Sequence, residues 1–307
     1  MTDNANFAVY RAFGLTIRSS IPMWELPQLK VNVEGIDVVI EIADLSKLWC
    51  ALVPAGKKSI VSNNLYMFQV ADVARFCVLS GNKIIVSPLR GFDDDRISLY
   101  LLGTCMGALL MQRKILPLHG SALVINGKAY GFIGLSGAGK STLASALLKS
   151  GYQLLSDDVI AVSLSHGNTP MITPSYPQQK LWQESLKELG MGETYRPIFN
   201  RETKFAVPVS AEFSAEPVPL AGVFELVKSE DEKIKIHRVQ RLERLQTLFR
   251  HTYRNSLISR FRLLEWHFRM SVAIANQIEI FQLRRPKYGF TAFDLAHQVM
   301  DVLNKEG

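Results

Sequence analysis

Gly134-Leu135-Ser136-Gly137-Ala138-Gly139-Lys140-Ser141 is the stretch that decides how this chain is read. It fits the pattern G-x-x-x-x-G-K-[ST]. Glycines let the backbone wrap closely round phosphate oxygens, so that successive N–H groups point inward. Lys140 sets a cation on the outer phosphates, and the Ser141 hydroxyl reaches a Mg²⁺ ion. The flanks agree with the motif. Tyr130-Gly131-Phe132-Ile133 reads as a buried strand entering the loop, and residues 142–149 read as a helix leaving it, stopped at Gly151. Such a helix turns its partially positive N-terminus on the phosphates. With average residue usage the bare pattern arises in roughly one chain in a hundred of this length. Gly134, Ser136, Gly137, Ala138, Gly139, Lys140, Ser141 and Thr142 are therefore the candidate nucleotide-binding residues. A nucleoside triphosphate with Mg²⁺ is the expected ligand.

Outside the loop, 307 residues with 48% apolar and 21% charged content suffice for one large domain or two modest ones with a real core. Cys50, Cys77 and Cys105 are scattered and in no metal spacing. They point to a reducing compartment, to buried small apolar residues rather than disulfides, and away from structural zinc. The first residues lack a basic-then-apolar signal, and the most apolar run, 99–111, is too short to span a bilayer. The expectation is a cytoplasmic protein with no membrane partner. Its net charge is +7, and residues 238–269 hold eight arginines against two acids, Glu243 and Glu265. That stretch suits a solvated helical face or an acidic partner; with no reader motif or interleaved aromatics, nucleic acid is disfavoured.

Residues 7–97 carry short β-branched and aromatic runs at 7–10, 15–17, 36–42, 66–70, 75–78 and 83–86, separated by turn residues. They predict a small β-rich domain. Gly91 to Asp95 reads as an acidic linker turn, since it lacks calcium-loop spacing. A core helix is predicted over 96–113, and from Leu118 strands and helices alternate as in an α/β layer fold. The Pro-rich middle, 165–214, reads as irregular apart from a helix at 181–189. Strands at 220–226 and 277–283, helices within 238–275 and a last helix at 291–303 complete the pattern. Leu242, Leu245, Leu248 and Phe249 fall on one helical face and read as core.

Two carboxylates, Asp157 and Asp158, follow the loop helix and the apolar run 152–155, seventeen and eighteen residues beyond Lys140. Carboxylates at this place can hold Mg²⁺ or accept a proton from an attacking hydroxyl. His119 precedes the same strand system. A lone histidine is more often a satisfied core or turn residue than a catalyst.

Taken together, His119-Gly120, the loop, and Gly151-Tyr152-Gln153-Leu154-Leu155-Ser156-Asp157-Asp158 resemble the catalytic domain of the HPr serine kinase/phosphorylase family. The resemblance implies a core like that of phosphoenolpyruvate carboxykinase, with ATP and Mg²⁺ as cofactors. It also implies Asp157 as base, with Asp158 and His119 organising phosphate and metal. Thr142 stands where bifunctional members carry Glu, and no Arg-Gly-Leu-Gly-like signature occurs between 164 and 307. Residues 10–22, 101–103, 116–122 and 137–144 are similar to the HPr-kinase-like proteins of peptide natural-product clusters. Some of these phosphorylate the C-terminal serine of a lasso-type precursor peptide.

Arg201 and Lys204, in the irregular middle, could neutralise charge on a transferred phosphoryl group. Arg284 and Arg285, after the last strand, could reach nucleotide or substrate carboxylate. The sequence thus predicts an α/β protein: a β-rich domain over 1–97 and an HPr-kinase-like nucleotide-binding domain over 98–307. The expected activity is transfer of the γ-phosphoryl of ATP to a peptide serine. Lys140, Asp157, Asp158 and His119 would be catalytic, and Ser141 and Asp158 would hold the metal. A homo-oligomer is compatible. The rival readings are HPr itself as acceptor, a small-molecule kinase, and a non-catalytic nucleotide-gated binding module.

Overall fold

The short apolar runs of the first ninety residues form a mixed seven-stranded sheet. The computed structural model describes residues 7–30, 35–62, 64–89, 93–192, 194–198 and 201–306, without the side chains of 201, 202 and 306. The first strands are β1 (Ala8–Ala12), β2 (Leu15–Ser19) and β3 (Val38–Ile42). Helix α1 (Ser46–Leu52) and strands β4 (Ser59–Ser62), β5 (Leu65–Val70), β6 (Ala74–Leu79) and β7 (Lys83–Pro88) follow. The order is β1-β2-β3-β7-β6-β5-β4, with β3 parallel to β2 and β7 and the other neighbours antiparallel.

The predicted core helix is present as α2 (Asp94–Tyr100), a π-helical turn (Leu101–Cys105) and α3 (Met106–Gln112). The acidic stretch starts that helix rather than linking to it. The Asp93 carboxylate accepts a hydrogen bond from the Arg96 N–H, an N-cap that satisfies one of the first-turn donors. Gly91 and Phe92 lie outside the described residues. Of the three cysteines, Cys77 and Cys105 are buried and Cys50 is exposed.

The chain divides into two compact units, one of residues 1–115 with 254–266, the other of 116–253 with 267–307. The boundary expected between 97 and 98 falls inside the first unit, which also holds 98–115. The second unit opens with β8 (Leu116–Ile125), β9 (Lys128–Gly134), α4 (Lys140–Lys149) and β10 (Gln153–Leu164). It continues with β11 (Pro170–Thr173), β12 (Gln178–Trp182), α5 (Gln183–Glu188), β13 (Arg196–Ile198) and β14 (Arg201–Pro208). Then come β15 (Val218–Ser229), β16 (Lys235–Arg238) and α6 (Leu242–Arg250). Helix α7 (Ser256–Arg260) belongs to the first unit; α8 (Leu264–Ala275), β17 (Glu279–Pro286) and α9 (Ala292–Glu306) end the chain.

Its main sheet has the order β11-β10-β8-β9-β15-β17-β16, in which β9, β15 and β17 run parallel. Helices α4 and α9 cover this sheet. Leu143, Leu147 and Val299 are fully buried against Phe132, Phe224 and Leu283. The three rings Phe132, Phe224 and Phe281 stack in sequence along neighbouring strands. The Pro-rich middle, expected to be irregular, holds a three-stranded sheet, β12-β14-β13. Leu248 is buried, but Leu242 is 73% exposed, so the α6 stripe is only partly core. Among the described residues, no helix is long and apolar enough to cross a membrane.

Candidate functional site

The loop sits at the carboxyl end of β9, where a parallel sheet leaves room for a ligand. At Gly134 a Cβ would lie 2.6 Å from the Leu226 carbonyl oxygen of the next strand, so only glycine allows the loop to leave the sheet there. At Gly139 φ is 105°, a conformation that opens α4 with no side-chain cap. The first amides of this ten-residue helix therefore keep their donors free of any capping side chain.

Lys140 is buried, and its ammonium rests on the Leu135 carbonyl oxygen at 3.1 Å and against His119 Nε2 at 3.3 Å. Burial pushes the amine down to about 8, although Asp157 and Asp158 pull the other way. The Thr142 hydroxyl is turned to Ser185 on α5, at 2.9 Å, so a ligand would meet its backbone amide.

Strand β10 carries the two aspartates beside β8, with Asp157 opposite Ser121 and Asp158 opposite Gly120. Asp157 is buried. Its carboxylate accepts hydrogen bonds from Ser141 Oγ at 2.9 Å, from Ser121 Oγ, and from the Lys180 backbone N–H at 2.8 Å. Asp158 has φ of 75° and departs from regular strand geometry. Its carboxylate takes the Lys180 ammonium at 2.7 Å and lies 3.6 Å from His119 Nδ1. Burial works to raise the Asp158 carboxyl, but the Lys180 ammonium outweighs it and holds it well below the carboxylate range. Lys180 is likewise depressed by burial and raised by Asp158, with the net effect strongly upward.

His119 has a defined tautomer. Nδ1 faces the Asp158 carbonyl oxygen at 3.0 Å, and a carbonyl only accepts, so Nδ1 carries the hydrogen and Nε2 accepts from Lys140. Burial and the Lys140 charge push the imidazole below its ordinary pKa, which keeps it neutral. The Tyr253 ring lies 5.6 Å from it, and the His119 backbone N–H donates to the His251 carbonyl at 2.8 Å.

The structure thus gathers Lys140, Ser141, His119, Asp157 and Asp158. It pairs Ser141 with Asp157, whereas the sequence reading paired the metal role of Ser141 with Asp158. Lys204 lies opposite Trp182 in the β12–β14 pairing, with its ammonium 5.5 Å from the indole ring, and its charge is felt by Lys140 and Asp158. The Arg201 side chain lies outside the described residues. The Arg284 charge acts on Asp231, and no hydrogen bond from its side chain to the loop is found among the described residues. The next residue, Arg285, donates Nε to the Ala138 carbonyl of the loop at 2.8 Å. Successive strand residues face opposite sides, so one of the pair had to miss the loop.

Lys180 and Ser121 were not legible as site residues. Lys180 sits in a stretch that read as irregular, and only its fold-back onto β10 reveals it. Ser145 Oγ donates to Gln179 at 2.8 Å, so β12 and α5 are tied to α4 at two points besides the aspartates.

No family model matches the sequence, and no curated protein matches it. Among solved structures the chain is similar to the HPr(Ser) kinase/phosphatase from Coxiella burnetii. The two are 15% identical with a TM-score of 0.35, over 62% of this chain and 92% of that one. Among the described residues no three His, Cys, Asp or Glu side chains gather as a metal cage. Ser141 and Asp157 offer two hard oxygen ligands, which suits Mg²⁺, an ion that keeps several waters and takes its remaining ligands from phosphate.

Proposed function

We propose that the protein is an ATP- and Mg²⁺-dependent phosphotransferase of the HPr-kinase-like kind, acting on a serine hydroxyl of a peptide. The observation that carries the reading is the double pairing under the loop. Ser141 meets Asp157 at 2.9 Å, and Asp158 is held between His119 and Lys180. One carboxylate thus meets the loop serine, and the other, with 22% of its side chain exposed, lies between His119 and Lys180.

When bound, the metal ion neutralises charge developing on the phosphate oxygens. Ser141 and Asp157 would hold it. Lys140 gives up Leu135 and His119 and donates to the outer phosphates, and the loop amides hold the rest. The serine oxygen forms its bond to the γ-phosphorus as the bond from that phosphorus to the bridging oxygen breaks, and ADP leaves. The serine proton passes to a carboxylate. Side-chain exposure favours Asp158, at 22%, over Asp157, which has three donors already. A carboxylate of low pKa serves because a loose transition state releases the proton late. This division exchanges the two aspartate roles that the family resemblance implied.

The acceptor is proposed to be a precursor peptide of the lasso type, phosphorylated on its C-terminal serine. The basic stretch that contains Arg241, Arg244 and Arg250 leads directly into His251 and Tyr253 beside His119, which suits an acidic acceptor segment. The test is mass spectrometry of lasso-type precursor peptides ending in serine after incubation with protein, ATP and Mg²⁺. The expected product gains one phosphoryl group. Asp158→Asn should abolish that gain and keep nucleotide binding, while Lys140→Ala weakens both. Retention of most turnover by Asp158→Asn would remove it from the base role. Nucleotide binding with no transfer to any offered peptide would replace the kinase reading by that of a binding module.

A further inference from the structure

Strands β9, β15 and β17 run parallel, and their carboxyl ends reach the same edge of the sheet. Gly134 stands opposite Leu226, and two residues farther along Lys228 stands opposite Arg285. The ends of the two strands therefore bring one cation each to the loop. They do not do the same thing there. Arg285 is half-buried, with Nε on the Ala138 carbonyl and Nη1 on the Pro286 carbonyl at 2.9 Å, and its guanidinium lies 3.4 Å from where a Gly139 Cβ would be. It fastens the loop backbone.

Lys228 is exposed, and its ammonium lies 4.0 Å from where a Gly137 Cβ would be, the nearest group to that position among the described residues apart from Gly137's own chain neighbours. Among the described residues it has no hydrogen-bond or ion-pair partner. Three other cations at the site are committed. Lys180 is bound to Asp158, Arg285 to carbonyl oxygens, and Lys140 faces both aspartates. Of these four, Lys228 alone lacks a hydrogen-bond or ion-pair partner among the described residues, and its ammonium lies beside the middle of the loop.

We infer that Lys228 is a second phosphate-binding lysine, which contacts the polyphosphate from the side opposite Lys140 and Ser141. This rests on the reading of the loop as a triphosphate site. Its ligand class is the inorganic polyphosphate chain, with or without a nucleoside. A single exposed ammonium on a phosphate oxygen makes a charge-assisted hydrogen bond, and its loss should weaken binding by about tenfold.

The test measures equilibrium affinity for inorganic tripolyphosphate, ATP and AMP by calorimetry. It compares the unaltered protein with Lys228→Met, Lys228→Arg, Lys140→Ala and Lys149→Met; Lys149 is exposed at the far end of α4. The inference expects Lys228→Met to lose about tenfold for tripolyphosphate and ATP, with little change for AMP and an unchanged melting temperature. Lys228→Arg should restore most of the loss, and Lys149→Met should stay within about twofold, since a distant exposed charge is screened. Tripolyphosphate and ATP affinities within twofold of the unaltered protein in Lys228→Met, with Lys140→Ala impaired, would overturn the inference and leave the nucleotide reading standing. A loss equalled by Lys149→Met would also overturn it, as a mere effect of net charge. Failure of the unaltered protein to bind ATP or tripolyphosphate would overturn both.

Discussion

Replacing Lys180 by methionine removes an ammonium and keeps an aliphatic stem of similar length. In the folded protein that ammonium lies 2.7 Å from Asp158, with the two side chains 10% and 22% exposed. At an effective dielectric of about 20, the attraction at this separation is roughly 6 kcal/mol. Hydration lost by the two ions offsets most of it, at several kcal/mol per ion, so the intact pair adds little net stability. Deleting one partner is a different matter. The Asp158 carboxylate then keeps its desolvation cost without its counter-charge, and the expected loss is about 3–5 kcal/mol.

Asp158→Asn alone strands the lysine and should cost a similar amount. The double variant leaves two neutral groups and should recover much of either loss. Urea unfolding of the four proteins, with m-values compared to exclude a change in compactness, gives the coupling directly. The pair also has a pH signature. Asp158 is held below its usual pKa against the opposing effect of burial, chiefly by Lys180. Its contribution is present above the unfolded carboxylate pKa, near 4, and fades as pH falls through that value toward the folded one. In Lys180→Met the sign reverses, because burial now raises the carboxyl, and the variant should gain on the unaltered protein as pH falls from 6 toward about 4. Losses that simply add in the double variant, to within about 0.5 kcal/mol, would refute the argument.

Other predictions follow from single contacts. With its amine at about 8, Lys140 is half-protonated near that pH, and a bound polyphosphate should raise it and draw in about half a proton per nucleotide. Calorimetry at pH 8 in buffers of different ionisation heat reads that uptake; heats independent of buffer would contradict it. His267 is buried, and burial lowers its imidazole to about 4, so it stays neutral in the fold. Stability from this group is present above the unfolded value of 6.5 and is lost on acidification toward 4, by about 3 kcal/mol. A His267→Gln protein should show a correspondingly shallower acid limb in thermal melts. A Cβ added at Gly120 would collide with the Phe132 carbonyl oxygen. Gly120→Ala should therefore cost about 2–3 kcal/mol in chemical unfolding, and an unchanged midpoint would mean that β8 can shift.

Much of the second unit was legible because its local signals agree with its tertiary use. The strand before Gly134, the helix after Lys140 and the stop at Gly151, with φ of 90°, all follow from residue type. The strands at 15–19, 65–70, 74–79 and 83–88 likewise matched their β-branched and aromatic runs. The three-stranded sheet β12-β14-β13 was not legible. Prolines at 174, 177, 197 and 208 flank or interrupt its strands, and its β12–β14 pairing joins residues more than twenty apart. Lys180 was lost with it. The aspartate pair was found by position, but which carboxylate meets Ser141 depends on the left-handed backbone at Asp158, and no spacing rule reports that. Arg284 and Arg285 were equally plausible in the sequence, and only the register of β17 against β15 separates them.

The return of residues 254–266 to the first unit has a practical consequence for anyone dissecting this protein. Neither half is a contiguous gene segment. An expression fragment starting at 98 would cut inside the Asp94–Tyr100 helix, and one starting at 116 would carry thirteen residues whose packing surface had been deleted. Excising those thirteen and bridging Tyr253 to His267 would keep the nucleotide-site half as one chain, at the loss of the first three residues of the Leu264–Ala275 helix.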